Sequence, residues 1–286
     1  MLRFTLITPV MNGRELIEST IYSILHQQAF LNGEIELEYI VIDGQSVDGT
    51  LEIIEQISKE HGCMSVISQN DEGMYDALSK GLAIATGDVI GYLNAGDLLH
   101  PMALGLLARI FENNHDVSWL TGLMTLHGRD GEVLFAKPPF RYLSSLIRSG
   151  VYGRYKLPII QQESTFWTAE LNKCLDLSRL STFTAAGDYF LWTQHAQHAN
   201  LHVIEAQIGG FRLHDNHLSM KVDYMGEVEQ FCGKLSLRHR WAASIENILW
   251  QLPGKYQRAI VKIKPTARWS FVQDSKSDGR FDRHQR

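Results

Sequence analysis

The sequence is poor in cysteine and proline and has no long apolar run. Cys63, Cys174 and Cys232 are odd in number and scattered over 286 residues, which argues against a disulfide framework. Reduced thiols point to a cytoplasmic setting. No C-x-x-C or H-E-x-x-H pattern is present, so no zinc site is expected. No stretch reaches the roughly 18 unbroken apolar residues that span a bilayer. The opening MLRFTLITPVMNG lacks a long apolar core and a small-residue cleavage site, so no secretory leader is expected. No G-x-G-x-x-G follows the first apolar run, which argues against a dinucleotide fold. No G-x-x-x-x-G-K-[ST] occurs either, so side chains and metal must hold any phosphate. Repeats and low-complexity segments are absent.

What is present is an ordinary globular composition, 44% hydrophobic and 21% charged. The net charge of −5 is unevenly spread. Residues 1–232 carry 15 Lys/Arg against 28 Asp/Glu, whereas 233–268 carry eight against Glu246 alone. An acidic body with a basic arm suits attachment to an anionic surface better than nucleic-acid binding.

The chain alternates strand and helix patterns. Strands are expected at Phe4–Val10, Leu37–Ile42, Ser65–Ser68 and Val89–Leu93, with helices at Glu15–Gln27, Thr50 to about His61 and Met74–Ala85. Such alternation implies an α/β protein with a parallel, doubly wound sheet. Its strands end in polar loops: Thr8-Pro9, Asp43-Gly44, Asp71-Glu72 and Asn94-Ala-Gly-Asp97. Right-handed crossovers bring these loops to one rim, where α/β proteins bind ligands. Three acidic loops on one rim repel one another, so a cation or ligand donors are expected there. The stretch 98–111 reads as a helix, with Asp97 either meeting a metal-bound diphosphate or capping that helix.

Further on, Leu120–Thr125 and Glu132–Lys137 read as strands around a turn, Phe140–Ser149 as a helix, and Gly150–Leu157 as a mobile loop. Ile159–Trp167 is polar first and then strand-like. Gly187-Asp188 opens a helix over Tyr189–Ala199, and strands are expected at Leu201–Ala206 and Ile208–Arg212. His195, His198 and His202 read as solvated positions. Residues 223–252 have helical spacing, with Trp241, Ile245, Ile248 and Leu249 on one side. Lys255–Lys264 reads as a second short amphipathic helix, and 273–286 as a disordered tail. The apolar side meets either a membrane surface, the catalytic body or a second subunit.

ITPVMNGRELIESTIYSIL, EYIVIDGQSVDGT and EGMYDALSKGLAIATGDVIGYLNAGD together resemble the family 2 glycosyltransferases of GT-A fold. The similarity is greatest to enzymes of bacterial exopolysaccharide assembly such as those of colanic acid clusters. It is specific over about residues 3–100 and weaker to about 220. It implies a catalytic domain over 1–222, with a nucleotide-binding half to about 100 and an acceptor half after it. A basic helical extension over 223–272 and the tail would follow.

The resemblance also implies an inverting transfer from a nucleotide sugar, UDP-sugar favoured, to a saccharide or lipid-linked acceptor, with Mg²⁺ or Mn²⁺. Thr8, Pro9, Asp43, Asp71 and Asn94 then fall at the nucleotide, and Asp97 with His214 at the metal. Asp188 falls at the catalytic base, kept ionised by its helix N-terminus. Asp76, Gln162, Glu163 and Trp167 are candidate contacts to sugar or acceptor. The family's usual acids at the central turn are replaced by Asn94 and Gly96, and its acidic pair by Gly187-Asp188. A non-catalytic nucleotide-sugar-binding protein of the same fold is the alternative. A nucleotidyltransferase is disfavoured because the first loop lacks a glycine- and lysine-rich cradle.

Overall fold

The structure, a computed structural model, describes residues 1–139, 141–213, 223–252, 256 and 268–269. The first half runs β1 (Arg3–Val10), α1 (Ile17–Leu25), α2 (Gln28–Leu31), β2 (Glu36–Asp43), α3 (Thr50–Ser58), β3 (Met64–Ser68), α4 (Met74–Ile84) and β4 (Val89–Tyr92). These match the expected elements to within a few residues. Then come β5 (Leu98–Leu99), α5 (Ala103–Asn113), β6 (Trp119–Thr121), β7 (Met124–His127), β8 (Val133–Lys137) and α6 (Ser144–Arg148). A 3₁₀ turn at Gln162–Ser164 leads into β9 (Thr165–Thr168), α7 (Ala169–Asn172), α8 (Leu177–Leu180), α9 (Gly187–His198), β10 (His202–Ile204) and β11 (Gly209–Arg212). The last described elements are α10 (Tyr224–Cys232), α11 (Leu237–Gln251) and β12 (Arg268–Trp269).

The main sheet has the order β12-β10-β6-β9-β4-β1-β2-β3. All neighbours pair in parallel except β9, which runs antiparallel between β4 and β6. The register sets Val10 beside Asp43 and Asp43 beside Ser68, so the strand ends do form one rim. One core lies on the face covered by α1, α3 and α5, and a second on the face covered by α4, α6 and α9. Burial on both faces explains why these strands are near-continuous apolar runs. A smaller sheet, β5-β11-β7-β8, stands over the rim.

Several expected elements are corrected. Residues 98–111 are not one helix: Leu98 and Leu99 pair with Gly210 and Gly209, and α5 starts only at Ala103. Gln27 fixes that start, because its side chain donates to the His100 carbonyl and accepts from Leu104 N–H. The expected strand 120–125 divides at Gly122-Leu123 into β6 and β7, which join different sheets. The helix expected from Phe140 is shorter, Ser144–Arg148, and Phe140 lies outside the described residues. Residues 150–157 are tied down: Val151 and Tyr152 are buried, and Tyr152 N–H donates to the Tyr189 hydroxyl. Residues 223–252 form two helices, separated at Gly233, whose φ of 79° ends the first. The expected helix over 255–264 and the tail lie outside the described residues, apart from Tyr256.

Candidate functional site

A cavity of about 1090 Å³ opens where the rim, the small sheet and α10 meet. Its polar walls carry Asp71, Asn94, Asp97, Gln162, Glu163 and Asp188. The rest is largely apolar and includes Met11, Met124, Phe135, Ile159 and Met225. Parts of the chain that are remote in sequence therefore place carboxylates on one space.

The first part is the turn after β4. Asp97 N–H donates to the Asn94 carbonyl at 3.0 Å, and Gly96 has φ 111°. An acid at position 96, as in the family pattern, would be strained in that conformation. Thr20 pins the turn, accepting from Gly96 N–H and donating to the Asp97 carbonyl. Asp97 is buried, and its Oδ1 accepts from Arg212 N–H at 3.3 Å. Burial first, and the Glu163 carboxylate second, push its pKa well above the usual carboxylate range. Asp97 does not cap α5, whose N-cap is Met102.

The second part is the 3₁₀ turn. Gln162 Nε2 donates to the Tyr92 carbonyl, which fixes its amide, and its Oε1 accepts from Asn94 Nδ2 at 3.2 Å. That contact orients Asn94 in turn, leaving its buried Oδ1 without a partner. Glu163 is buried, and its Oε2 also has no hydrogen-bond partner. Burial, reinforced by the charge of Asp188, raises its pKa to about 7.

The third part is the start of α9. Asp188 Oδ1 accepts from Tyr189 N–H at 2.7 Å, from the Tyr224 hydroxyl at 2.9 Å and from the Tyr75 hydroxyl at 3.3 Å. Burial raises its pKa to about 6 despite those bonds. The expected lowering by the helix N-terminus is thus overturned, because desolvation outweighs the dipole. Nor is Asp188 the cap: the N-cap is Ala186, and Glu227 from α10 accepts from Thr184, Ala185 and Ala186 N–H. Gly187 replaces the family's second acid for a steric reason. A Cβ there would lie 2.4 Å from the Tyr75 ring.

Of the residues expected at the nucleotide, Pro9 and Asp71 line the cavity, but Thr8 and Asp43 do not. Thr8 is buried and accepts from the Tyr39 hydroxyl at 3.0 Å. Asp43 is buried behind the wall, accepting from Ser46 N–H and the Ser68 hydroxyl. Asp71 sits against this loop, where a Cβ on Gly44 would lie 2.5 Å from its Oδ2. Burial also raises the pKa of Asp71. Asp76 is not a wall residue: it pairs with Lys80 at 3.0 Å and accepts from Glu72 N–H. Trp167 is corrected from a sugar platform to a core residue, fully buried and packed on Tyr92 and Trp192. His195 is buried beside it without a hydrogen bond, its pKa lowered by burial to about 3, and His202 is buried too. His214 lies outside the described residues. Sequence reading missed Tyr75, Tyr224 and Glu227, since nothing local marks a tyrosine or glutamate that acts on a segment remote in sequence.

Among the described residues, no three or more His, Cys, Asp or Glu side chains group as a metal site. Hard oxygens are nevertheless available at the cavity, and two of them, on Asn94 and Glu163, are buried without partners. That chemistry fits Mg²⁺ or Mn²⁺, which binds one or two carboxylates and takes its other ligands from phosphates and water.

Comparison with known proteins places this geometry. The sequence profile described as Glycosyl transferase family 2 matches residues 5–142. A PGL/p-HBAD biosynthesis glycosyltransferase of Mycobacterium bovis is 30% identical over 142 residues, which is 49% of this chain and 50% of that protein. The chain thus spans about half the length of the curated relatives it matches first. Staphylococcus aureus TarS 1-349, solved with UDP, superposes with TM-score 0.59 at 17% identity, over 91% of this chain and 70% of the other. Glucosyl-3-phosphoglycerate synthase of Mycobacterium tuberculosis, solved with Mn²⁺, UDP and phosphoglyceric acid, gives TM-score 0.52 at 18% identity over 82% and 80%. The fold is GT-A.

Proposed function

Residues 5–142 are a family 2 glycosyltransferase domain, and from that premise we propose that the chain transfers a sugar from a nucleotide-sugar donor, with inversion and metal assistance, to a saccharide or lipid-linked acceptor in surface polysaccharide or glycolipid assembly. The observation that carries this reading is the single cavity holding Asp71, Asp97 and Asp188. The UDP found on TarS and the Mn²⁺ and UDP found on the synthase support a UDP-sugar and a divalent cation.

The roles divide by position. Asp71 accepts hydrogen bonds from the base or ribose, on the loop that follows Ser68, whose hydroxyl donates to Asp43. Asp97 is a protein ligand of the cation, which when bound neutralises the leaving diphosphate. Asp188 takes the acceptor proton. Its Oδ1 is held by two tyrosines and a backbone N–H, so Oδ2 is the oxygen directed to the acceptor. The extent of the catalytic body follows from the same contacts. Asp223, Tyr224 and Met225 of α10 and its N-cap line the cavity, so the body runs past residue 222.

The testing experiment is a thermal-shift panel of nucleoside diphosphates with Mn²⁺. A ligand that binds only the folded state raises its melting temperature. One nucleotide should stabilise the protein. Asp71→Ala should weaken that nucleotide by about 1.5–3 kcal/mol, the range for a hydrogen bond to a charged group. Unchanged calorimetric affinity in a folded Asp71→Ala protein would exclude the contact.

Attachment to an anionic membrane face is part of the proposal. No described helix is long and apolar enough to cross a membrane. The outer side of α11 is apolar and basic, with Leu237, Trp241, Ile245 and Ile248 exposed beside Arg238 and Arg240. Its one acid, Glu246, is buried against Arg141 at 2.7 Å. Trp250 belongs elsewhere, donating to the Pro138 carbonyl with Lys137 over its ring. Binding to anionic vesicles should weaken as salt rises, since screening acts over about 8–10 Å near physiological ionic strength. Trp241→Ser should reduce it. Equal binding to neutral vesicles, or none to either kind, would rule the attachment out.

A further inference from the structure

The central turn has lost the second carboxylate of the family pattern, yet the cavity has not. Glu163 arrives from the 3₁₀ turn before β9 and lines the same space as Asp97. It is buried, and its Oε2 has no hydrogen-bond partner among the described residues. The 3₁₀ turn packs against both β4 and β5, the two strands that flank the turn carrying Asp97. Asn94 Oδ1 is likewise buried and unpartnered. The Tyr92–Gln162–Asn94 chain of hydrogen bonds keeps that oxygen from turning away.

Leaving a buried polar oxygen unsatisfied costs about 1–3 kcal/mol, and more for a charged group. Two such atoms, one amide oxygen and one carboxylate oxygen, lie on the same cavity as the Asp97 carboxylate and call for a partner. A proton shared between the acids would satisfy one pair of oxygens and leave Asn94 unanswered. A hydrogen-bond donor on the sugar would meet one oxygen at a time. A divalent cation answers all three oxygens and removes the repulsion between the acids.

We propose that Glu163 is the second protein carboxylate on the catalytic cation and that Asn94 Oδ1 is the third protein oxygen, replacing at a distance in sequence the acids missing from the turn. This rests on the metal-assisted reading above and deepens it. The site is assembled from the β4–β5 turn and the segment before β9, so it forms only when β9 inserts beside β4. Gly209 permits that insertion, since a Cβ there would lie 2.1 Å from the Glu163 carbonyl oxygen. The remaining ligands are diphosphate oxygens and water.

The test measures Mn²⁺ affinity directly, by electron paramagnetic resonance of free Mn²⁺, on protein saturated with the nucleoside diphosphate that stabilises it most. Glu163→Gln is expected to raise the Mn²⁺ Kd at least about tenfold, and Asn94→Ala less, following the loss of a charged and a neutral ligand. Glu163→Asp, which keeps the charge but shortens the reach, should fall between Glu163→Gln and wild type. Without metal, Glu163→Gln should melt no lower than wild type, because an unpaired buried charge has gone. Asp97→Asn is the reference. If Asp97→Asn binds Mn²⁺ weakly while Glu163→Gln binds it within twofold of wild type, this inference is overturned and the metal-assisted reading stands. If Asp97→Asn binds as wild type, or wild type binds no Mn²⁺, both fall. A metal-free Glu163→Gln protein that melts well below wild type would also overturn the inference, since the carboxylate would then support the fold.

Discussion

Asp188→Asn is expected to abolish sugar transfer while leaving donor affinity nearly unchanged. Among the described residues, the hydrogen bonds that set the side chain's position run to Oδ1, from Tyr189 N–H and the hydroxyls of Tyr75 and Tyr224. An amide oxygen can accept those same bonds, and the segment leading into α9 is held by Glu227, which accepts from Ala185 and Ala186 N–H. The substitution should therefore spare the fold and remove only the basic oxygen, whose effect belongs to the transition state.

The pH dependence follows with a definite sign. A base works when ionised, and burial raises the pKa of Asp188 to about 6. Turnover should be full above that value and fall as pH drops through it. Tyr224→Phe removes a bond that favours the ionised form, so the acidic limb should move to higher pH. A limb near pH 4 in wild type, or an unshifted limb in Tyr224→Phe, would contradict this account of the base.

Asp97→Asn should lower transfer at least about 100-fold, the scale on which a metal stabilises a leaving diphosphate. Stability should hold or rise. Asparagine can still accept from Arg212 N–H, and the variant relieves the repulsion between Asp97 and Glu163. Normal turnover by a folded variant, or full wild-type activity in a chelator, would remove the metal from the mechanism.

The first four strands and their helices were legible in the sequence because β1, β2 and β4 are buried, mainly apolar runs and all four strands are bounded by turn residues. The rim followed from strand polarity alone, and Asp71, Asn94, Asp97, Glu163 and Asp188 do share one cavity. What failed depended on distant partners. Leu98 and Leu99 carry helical periodicity but are captured by Gly209 and Gly210. Trp167 could stack on a sugar or sit in the core, the commoner case for a tryptophan, and it is the core that takes it, between Tyr92 and Trp192. The direction of the Asp188 pKa shift was misjudged because its local helix position was visible, whereas the tyrosines and the apolar wall that bury it come from other segments. Asp43 shows the same limit: its strand-end position was right, but its carboxylate turns to Ser46 and Ser68.

The most direct test of the central claim is release of nucleoside diphosphate from a panel of nucleotide sugars, with Mn²⁺ and with saccharide and alkyl-glycoside acceptors. Wild type and Asp188→Asn would be compared on samples whose nucleotide affinity is measured in parallel. The account predicts acceptor-dependent release by wild type from at least one donor, and none by Asp188→Asn at matching affinity. Tight nucleotide binding with no turnover of any donor by wild type would identify a binding protein of the same fold, and turnover by Asp188→Asn within a few-fold of wild type would exclude Asp188 as the base.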